Sequence, residues 1–166
     1  MITLVLGGAR SGKSEVAEHL AARLPGPVTY VATLRRGSDP DLAARIEAHR
    51  ARRPASWHTV EAGAGLPALL RSLAGPVLVD SLGPWVAGSP GMAVDGAALC
   101  AALTSRSGDT VVVSEEVGLG VHPATEAGRL FRDALGTLNQ SVAAVAGDVL
   151  LVVAGRVLPL GSPDVR

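Results

Sequence analysis

The 166-residue chain has the length of one domain with a substantial core, and 48% of its residues are apolar. Fifteen basic and fifteen acidic residues cancel, so the chain as a whole offers no electrostatic field to a polyanion. Two tryptophans, one tyrosine and one phenylalanine do not make a stacking platform for nucleic acid. The composition therefore excludes a general nucleic-acid-binding protein and predicts a single aliphatic domain over residues 1–166.

The cysteine content and the termini bear on the compartment. Cys100 is the only cysteine and can form no internal disulfide, and Met1 leads directly into an apolar run without a charged leader. The most apolar late stretch, Val142 to Leu160, contains Asp148 and Arg156 and is too short and too charged to span a bilayer. We expect a cytoplasmic protein with no membrane span.

The first element in chain order is an apolar strand, Ile2–Leu6, followed by a glycine-rich loop and an amphipathic segment from Glu15 to Leu24. The loop fits the pattern G-x-x-x-x-G-K-[ST] in its defining context, between a strand and a helix start. Its residues are Gly7, Gly8, Ala9, Arg10, Ser11, Gly12, Lys13 and Ser14. The backbone N–H groups of such a loop cradle phosphates, the lysine reaches the β- and γ-phosphates, and the final hydroxyl ligates Mg²⁺. The loop predicts binding of a nucleoside triphosphate with Mg²⁺, an ordinary glycine-rich turn being the alternative.

The rest of the chain alternates between apolar runs and helical patterns, which predicts a doubly wound α/β fold with a mostly parallel sheet. The predicted later strands are Val28–Ala32, Val77–Val79, Thr110–Ser114 and Val149–Ala154. The last of these precedes Gly155-Arg156 and Val157-Leu158, a pattern typical of an edge hairpin with a type II′ turn, and Pro159 restricts the final strand to an edge.

Two further segments have distinct patterns. Asp39-Pro40-Asp41 predicts a helix start, after which Leu42, Ile46 and His49 fall on one helical face until Pro54. The Gly/Pro-rich stretch from Gly83 to Gly96 is predicted to be a mobile loop, because few of its residues suit a helix or a strand.

Two strand ends carry carboxylates. A P-loop needs a second metal partner, normally at the end of a neighbouring strand, and Asp80 follows Val77–Val79. Asp80 is therefore predicted to hold Mg²⁺ opposite Ser14, the alternative being a turn or helix-cap residue. Glu115-Glu116 follows the next predicted strand, and Glu116 is a candidate to orient an acceptor hydroxyl or a water. A solvated strand-end charge is an equal interpretation of Glu116.

A basic cluster surrounds the end of the second predicted helix. Four arginines and His49 lie within the nine residues 45–53. One interpretation is structural, with cations complementing the helix dipole and a packed histidine. The other is a neutral imidazole nucleophile beside arginines that neutralise a triphosphate. The spacing alone leaves both open.

An ordered set of motifs closely resembles the bifunctional adenosylcobinamide kinase/adenosylcobinamide-phosphate guanylyltransferase family of cobalamin biosynthesis. The resemblance extends from Met1 to about Leu160. It is carried by residues 7–14, Tyr30-Val31-Ala32-Thr33, Ala44-Arg45-Ile46 with His49-Arg50, Arg53-Pro54 with Trp57, Thr59 and Glu61, Glu116–Val121 with Pro123, and Leu130–Asp133 with Asn139-Gln140. The chain departs from the family where Glu115 stands in place of a frequent Asn, and where the sequence after Asp80 is shorter.

The resemblance implies a RecA-like α/β enzyme that phosphorylates adenosylcobinamide with ATP or GTP and then transfers GMP from GTP through a guanylylated histidine. The nucleophile would be His49. The implied nucleotide contacts are residues 7–14, Thr33, Leu34, Arg35, Arg50, Ala51, Arg52, Arg53, Glu61 and Asp80. The family also implies a homotrimer. Two alternatives remain: a small-molecule kinase of another pathway, which has no use for His49, and a nucleotide-dependent switch in which binding orders residues 83–96.

Overall fold

The computed structural model describes residues 1–34 and 53–162. Seven strands lie in this part of the chain: β1 Ile2–Gly7, β2 Thr29–Ala32, β3 His58–Glu61, β4 Val77–Asp80, β5 Thr110–Glu115, β6 Asp148–Val153 and β7 Arg156–Leu160. The described helices are α1 Lys13–Ala21, α2 Leu66–Ser72, α3 Leu82–Ala87, α4 Gly96–Ser105 and α5 Glu126–Val145, with a 3₁₀ turn at Pro90–Met92.

All seven strands form one sheet in the order β3-β2-β4-β5-β1-β6-β7. The first six are mutually parallel, and β7 runs antiparallel to β6 at the edge. The predicted fold class, a doubly wound mostly parallel sheet with a C-terminal antiparallel hairpin, is confirmed. Because parallel strands place their carboxyl ends on one edge, the end of β1 and the ends of β2 to β5 meet there.

The sheet is buried on both faces, as expected for parallel strands with helices above and below. Successive residues of β1 illustrate this, since Leu4 and Val5 are both fully buried but belong to different core clusters. The Leu4 face packs on α2, α3, α4 and α5, whereas the Val5 face packs on α1. A fully buried aliphatic side chain contributes about 1.5–3 kcal/mol, so aliphatic layers hold the strand ends in place with few aromatic residues.

The C-terminal hairpin is present, but its turn lies one residue earlier than predicted. Arg156 pairs with Val153, so the two turn residues are Ala154 and Gly155. Both have positive φ, 49° and 72° respectively, which is the backbone of a type I′ turn rather than type II′. The prediction placed glycine first in the turn, whereas here it is second.

The prediction of a mobile loop from Gly83 to Gly96 is wrong for the start of this stretch. Helix α3 covers its first part, and Gly83, Trp85 and Val86 are buried there. Trp85 Nε1 donates to the Ala64 carbonyl oxygen at 3.3 Å, which ties the segment to the chain before α2. Burial of these side chains outweighs the weak helical propensity of a Gly- and Pro-containing sequence.

Other boundaries differ modestly from the predictions. The helix after the loop is Lys13–Ala21 rather than Glu15–Leu24, and the strand His58–Glu61 was not predicted because its alternation is too short to be distinctive. The helix predicted after Asp39 lies outside the described residues. Among the described helices, none is long and apolar enough to cross a membrane.

Candidate nucleotide site

The glycine-rich loop connects the carboxyl end of β1 to the start of α1. Gly12 caps the helix with a φ of 93°, a left-handed conformation that an L side chain rarely adopts. Gly7 is required for a different reason, because a Cβ there would lie 2.4 Å from Ser11 Oγ and 2.8 Å from the Val152 carbonyl oxygen. A glycine-rich turn that leads from a strand into a helix N-terminus is the arrangement of an anion-binding loop.

The turn of the β6–β7 hairpin is in direct backbone contact with this loop. The Gly155 N–H donates to the Ser11 carbonyl oxygen at 2.8 Å. A Cβ on Gly12 would lie 3.3 Å from Gly155 Cα, so the two backbones are in close contact. No local sequence signal indicated this contact, since it joins segments about 140 residues apart.

Ser14 and Asp80 are brought together across the sheet, as predicted. The Ser14 hydroxyl donates to Asp80 Oδ1 at 3.3 Å, and the Tyr30 hydroxyl donates to Asp80 Oδ2 at 2.9 Å. The strands that carry the loop and Asp80 are not direct neighbours, however, because β5 lies between them. A hydroxyl and a carboxylate oxygen are hard donors of the kind that Mg²⁺ prefers, so these residues fit the predicted metal.

Tyr30 is almost fully buried beside Asp80. Burial, followed by the negative charge of Asp80, raises the pKa of Tyr30 above its ordinary value. The phenol is therefore protonated throughout the physiological pH range and donates to Asp80. Sequence reasoning did not identify Tyr30 as a site residue.

Glu115, which the sequence did not single out as a site residue, contacts both the loop lysine and the start of α3. It ends β5 and pairs with Gly7 in the sheet register. Its carboxylate accepts from Ser81 Oγ at 2.6 Å and from the Gly83 N–H at 2.9 Å, and Oε1 lies 3.7 Å from Lys13 Nζ. Lys13 Nζ also donates to the Gly8 carbonyl oxygen at 3.3 Å. Glu115 thus joins the loop lysine to the start of α3.

Helix α5 fixes the end of β5. Asn139 Oδ1 accepts from the buried Ser114 hydroxyl at 2.6 Å, and Asn139 Nδ2 donates to the Glu115 carbonyl oxygen at 3.0 Å. These bonds satisfy buried polar groups that would otherwise cost about 1–3 kcal/mol each. They hold the Glu115 backbone in register with the loop.

Glu116 directly follows β5 and lies beside the start of the loop. Its backbone N–H donates to the Gly7 carbonyl oxygen at 3.0 Å, and its Oε1 accepts from the Gly118 N–H at 2.6 Å. It lines an open cleft of about 320 Å³ together with residues 8–11, Leu119 and residues 151–154. The carboxylate and the apolar walls of this cleft border the glycine-rich loop at residues 7–14, the phosphate loop.

Thr33, Leu34, Glu61 and Arg53 are the predicted nucleotide contacts beyond the loop and Asp80 that the structure describes. Thr33 is buried, and its hydroxyl donates to the Ser81 carbonyl oxygen and accepts from the Ser81 N–H. Leu34 is half-buried next to it.

Glu61 is exposed at the end of β3. Both Glu61 and Asp80 pair with Ala32 of β2 in the sheet register. Arg53 packs its guanidinium 3.2 Å from the centre of the Tyr30 ring.

Five predicted site residues lie outside the described part of the chain. They are Arg35, His49, Arg50, Ala51 and Arg52. Of the described flanks of this segment, Leu34 follows Thr33 at the end of β2, and Arg53 contacts the Tyr30 ring.

The sheet order, the glycine-rich loop and the strand-end carboxylates define a P-loop α/β protein of RecA-like type. A solved protein from Pyrococcus horikoshii shares the fold, with a TM-score of 0.60 and 8% identity over 99% of this chain and 87% of that one. The flagellar accessory protein FlaH from Methanocaldococcus jannaschii aligns with a TM-score of 0.51 and 14% identity over 94% of this chain and 74% of that one.

Sequence comparison identifies the family within this class. Residues 3–160 match the family described as cobinamide kinase / cobinamide phosphate guanyltransferase. The bifunctional adenosylcobalamin biosynthesis protein CobP of Pseudomonas aeruginosa is 43% identical over 98% of this chain and 99% of its own length. The CobU proteins of Salmonella typhimurium and Escherichia coli are 37% and 36% identical, each over 93% of this chain and 97% of the relative. The chain belongs to the cobinamide kinase / cobinamide phosphate guanyltransferase family.

Proposed function

We propose that this chain phosphorylates adenosylcobinamide with ATP or GTP and then transfers GMP from GTP to the new phosphate. The products of the second step are adenosylcobinamide-GDP and pyrophosphate. The observation that carries this proposal is the match to the family over residues 3–160. The proposal is supported by the position of Lys13, Ser14 and Asp80 at one sheet edge. Phosphoryl transfer depends on positioning the phosphates and neutralising their charge.

In the kinase step the loop backbone and Lys13 bind the β- and γ-phosphates. Ser14 and Asp80 would hold Mg²⁺, which would supply neutralisation of the phosphate charge. Thr33, Leu34, Arg53 and Glu61 complete the nucleotide contacts, with Arg35, Arg50, Ala51 and Arg52 from the segment outside the described residues. The acceptor hydroxyl attacks the γ-phosphorus in line with the leaving oxygen.

Glu116 is proposed to orient that hydroxyl. Its cleft opens beside residues 8–11 of the phosphate loop, and Leu119 and Leu151 provide apolar walls. An acceptor with an apolar body and a terminal hydroxyl suits such a surface, since the apolar part loses contact with water while the hydroxyl finds an acceptor oxygen.

In the second step a neutral His49 imidazole attacks the α-phosphorus of GTP and pyrophosphate leaves. An oxygen of the corrinoid phosphate then attacks the same phosphorus, and the P–N bond breaks to regenerate the imidazole. A histidine suits this role because it is substantially neutral near pH 7 and is a good leaving group when protonated.

We place both activities in one domain over residues 1–166, because all seven described strands form one sheet. Assembly as a homo-oligomer, a trimer by family resemblance, is supported by β7, an apolar edge strand whose residues are all exposed. A cytoplasmic location is supported by the single cysteine and the biosynthetic relatives.

Incubation with GTP, Mg²⁺ and adenosylcobinamide tests the proposed function directly. Intact-protein mass spectrometry after GTP·Mg²⁺ alone is expected to show a covalent GMP adduct, and addition of adenosylcobinamide phosphate is expected to discharge it. Phosphorylated corrinoid without any adduct would instead indicate a simple kinase. Nucleotide binding without turnover would indicate a switch protein.

Asp80→Asn is expected to raise the Mg²⁺ concentration needed for half-maximal kinase activity by about tenfold, because a neutral amide is a weaker ligand for Mg²⁺ than a carboxylate. Nucleotide binding measured in EDTA is expected to change much less. The measurement is a Mg²⁺ titration of initial rate at saturating nucleotide, with Asp95→Asn at the start of α4 as the matched control. An unchanged titration would move the metal role away from Asp80.

A further inference from the structure

Tyr30 is a buried polar side chain at the candidate site to which the proposed chemistry gives no role. It lies on β2, between β3 and β4, and is only 4% exposed. A buried hydroxyl requires a hydrogen-bond partner, and the identity of that partner shows what the hydroxyl does. Here the partner is Asp80, through its Oδ2 at 2.9 Å.

The sheet register explains how Tyr30 reaches this carboxylate. Tyr30 is opposite Leu78 on β4, whereas Asp80 is opposite Ala32. Asp80 is thus two residues further along the strand direction, about 7 Å, which is the reach of a phenol lying along the sheet. With Oδ2 bound to Tyr30, the other oxygen, Oδ1, lies 3.3 Å from the Ser14 hydroxyl. The orientation of the carboxylate toward Ser14 is therefore held from the Tyr30 side.

Arg53 in turn fixes the Tyr30 ring. Its guanidinium carbon lies 3.2 Å from the ring centre, a cation–π contact. The other described contact of this guanidinium is a long one, from Nη1 to Thr59 Oγ1 at 3.5 Å, and its buried Nε has no hydrogen-bond partner among the described residues. Among the described residues, the ring of Tyr30 is therefore the main surface against which Arg53 is positioned.

We infer that Tyr30 is a positioning residue for the metal site, holding Asp80 turned toward Ser14 while its ring seats Arg53. The inference rests on the metal role proposed above for Asp80. It links Arg53 to the proposed magnesium site. Tyr30 touches neither phosphate nor metal in this role and acts through Asp80.

Tyr30→Phe separates the two contacts, since it removes the hydroxyl and keeps the ring. We expect the Mg²⁺ concentration for half-maximal binding of β,γ-imido-GTP to rise about three- to tenfold, in line with the loss of a hydrogen bond that orients a metal ligand. Binding of the same analogue in EDTA is expected to stay within about twofold, because the phosphate loop is untouched. The readout is a calorimetric or fluorescence titration, which requires no turnover.

Thr59→Val is the matched control, because it removes a hydroxyl that contacts Arg53 but not Asp80. Its Mg²⁺ titration is expected to match that of the unmodified protein. Thermal melting of each variant reports whether the fold is retained. Arg53→Met tests the ring contact, and we expect it to weaken nucleotide binding with little change in the Mg²⁺ dependence.

A double-mutant cycle with Asp80→Ala distinguishes failure of this inference from failure of the proposed function. If Tyr30 acts through Asp80, adding Tyr30→Phe to Asp80→Ala produces no further shift in the Mg²⁺ titration. A full additional shift, or no shift in Tyr30→Phe when Asp80→Ala gives one, would overturn the inference and leave the metal role intact. No shift in Asp80→Ala itself would overturn the metal role, and the role of Tyr30 with it.

Discussion

Lys13→Ala is expected to reduce kinase turnover at saturating nucleotide by about 10²- to 10³-fold. The ammonium group donates charge-assisted hydrogen bonds to the phosphates. These bonds strengthen as charge moves during phosphoryl transfer in a desolvated site. The loss of Lys13 leaves Glu115 with its hydrogen bonds from Ser81 and Gly83, so the fold is expected to survive. Initial rates of adenosylcobinamide phosphorylation measure the effect.

Lys13 also offers a test that needs no substitution, because it is the only lysine in the sequence. Pyridoxal phosphate followed by borohydride labels lysine amines, and bound nucleotide is expected to protect Lys13 from the label.

The matched control for the loss of charge in Lys13→Ala is Arg23→Ala, which removes an exposed positive charge just beyond the other end of α1. Near-full turnover in Lys13→Ala would reject the assignment of the phosphate loop.

His49→Ala is expected to abolish the GMP adduct and the formation of adenosylcobinamide-GDP while adenosylcobinamide is still phosphorylated. Guanylyl transfer through a covalent intermediate needs a nucleophile, whereas the kinase step needs only an acceptor hydroxyl in line with the γ-phosphorus of a nucleotide bound by the loop. GTP labelled on its α-phosphate is expected to leave an acid-labile, base-stable adduct on His49. Substitution of Arg50, Arg52 or Arg53 is expected to reduce adduct formation more than phosphorylation.

The other three histidines provide matched controls. His58 begins β3, about 10 Å along the strand from Glu61, at the end of the sheet away from the loop. His19 lies in the last turn of α1. His122 pairs through Nδ1 with Arg132 Nη1 at 2.9 Å. Alanine at each of these positions should leave the adduct in place. An undiminished adduct in His49→Ala, or an adduct mapped to one of the three, would overturn the assignment.

The candidate site was predictable where its chemistry is local in sequence. The loop at residues 7–14 is recognisable because a strand, two spaced glycines, Lys-Ser and a helix start must follow one another without interruption. Asp80 was predictable because it directly follows an apolar strand. Glu115 and Tyr30 were not, because their roles depend on which strands are neighbours. Only the insertion of β5 between β1 and β4 places Glu115 between Lys13 and the start of α3.

Two errors in the predicted fold have the same physical origin. The Gly83–Gly96 stretch has the composition of a loop, yet burial of Trp85 and Val86 against the core makes its first part helical. The hairpin turn moved by one residue because the pairing of β7 with β6 sets its register, and this register places Gly155 against the phosphate loop. In both cases tertiary packing outweighed a local preference of about 1 kcal/mol per residue.

The sequence by itself determined the alternation of strands and helices, the phosphate loop and the family, because each depends on the order and spacing of residues along the chain. Tertiary structure alone decided which side chains meet at the sheet edge. The contacts of Tyr30 with Asp80, of Lys13 with Glu115 and of Ser11 with Gly155 join residues 50 to about 140 positions apart. Such contacts depend on strand order and register, which are fixed by burying both faces of the whole sheet at once.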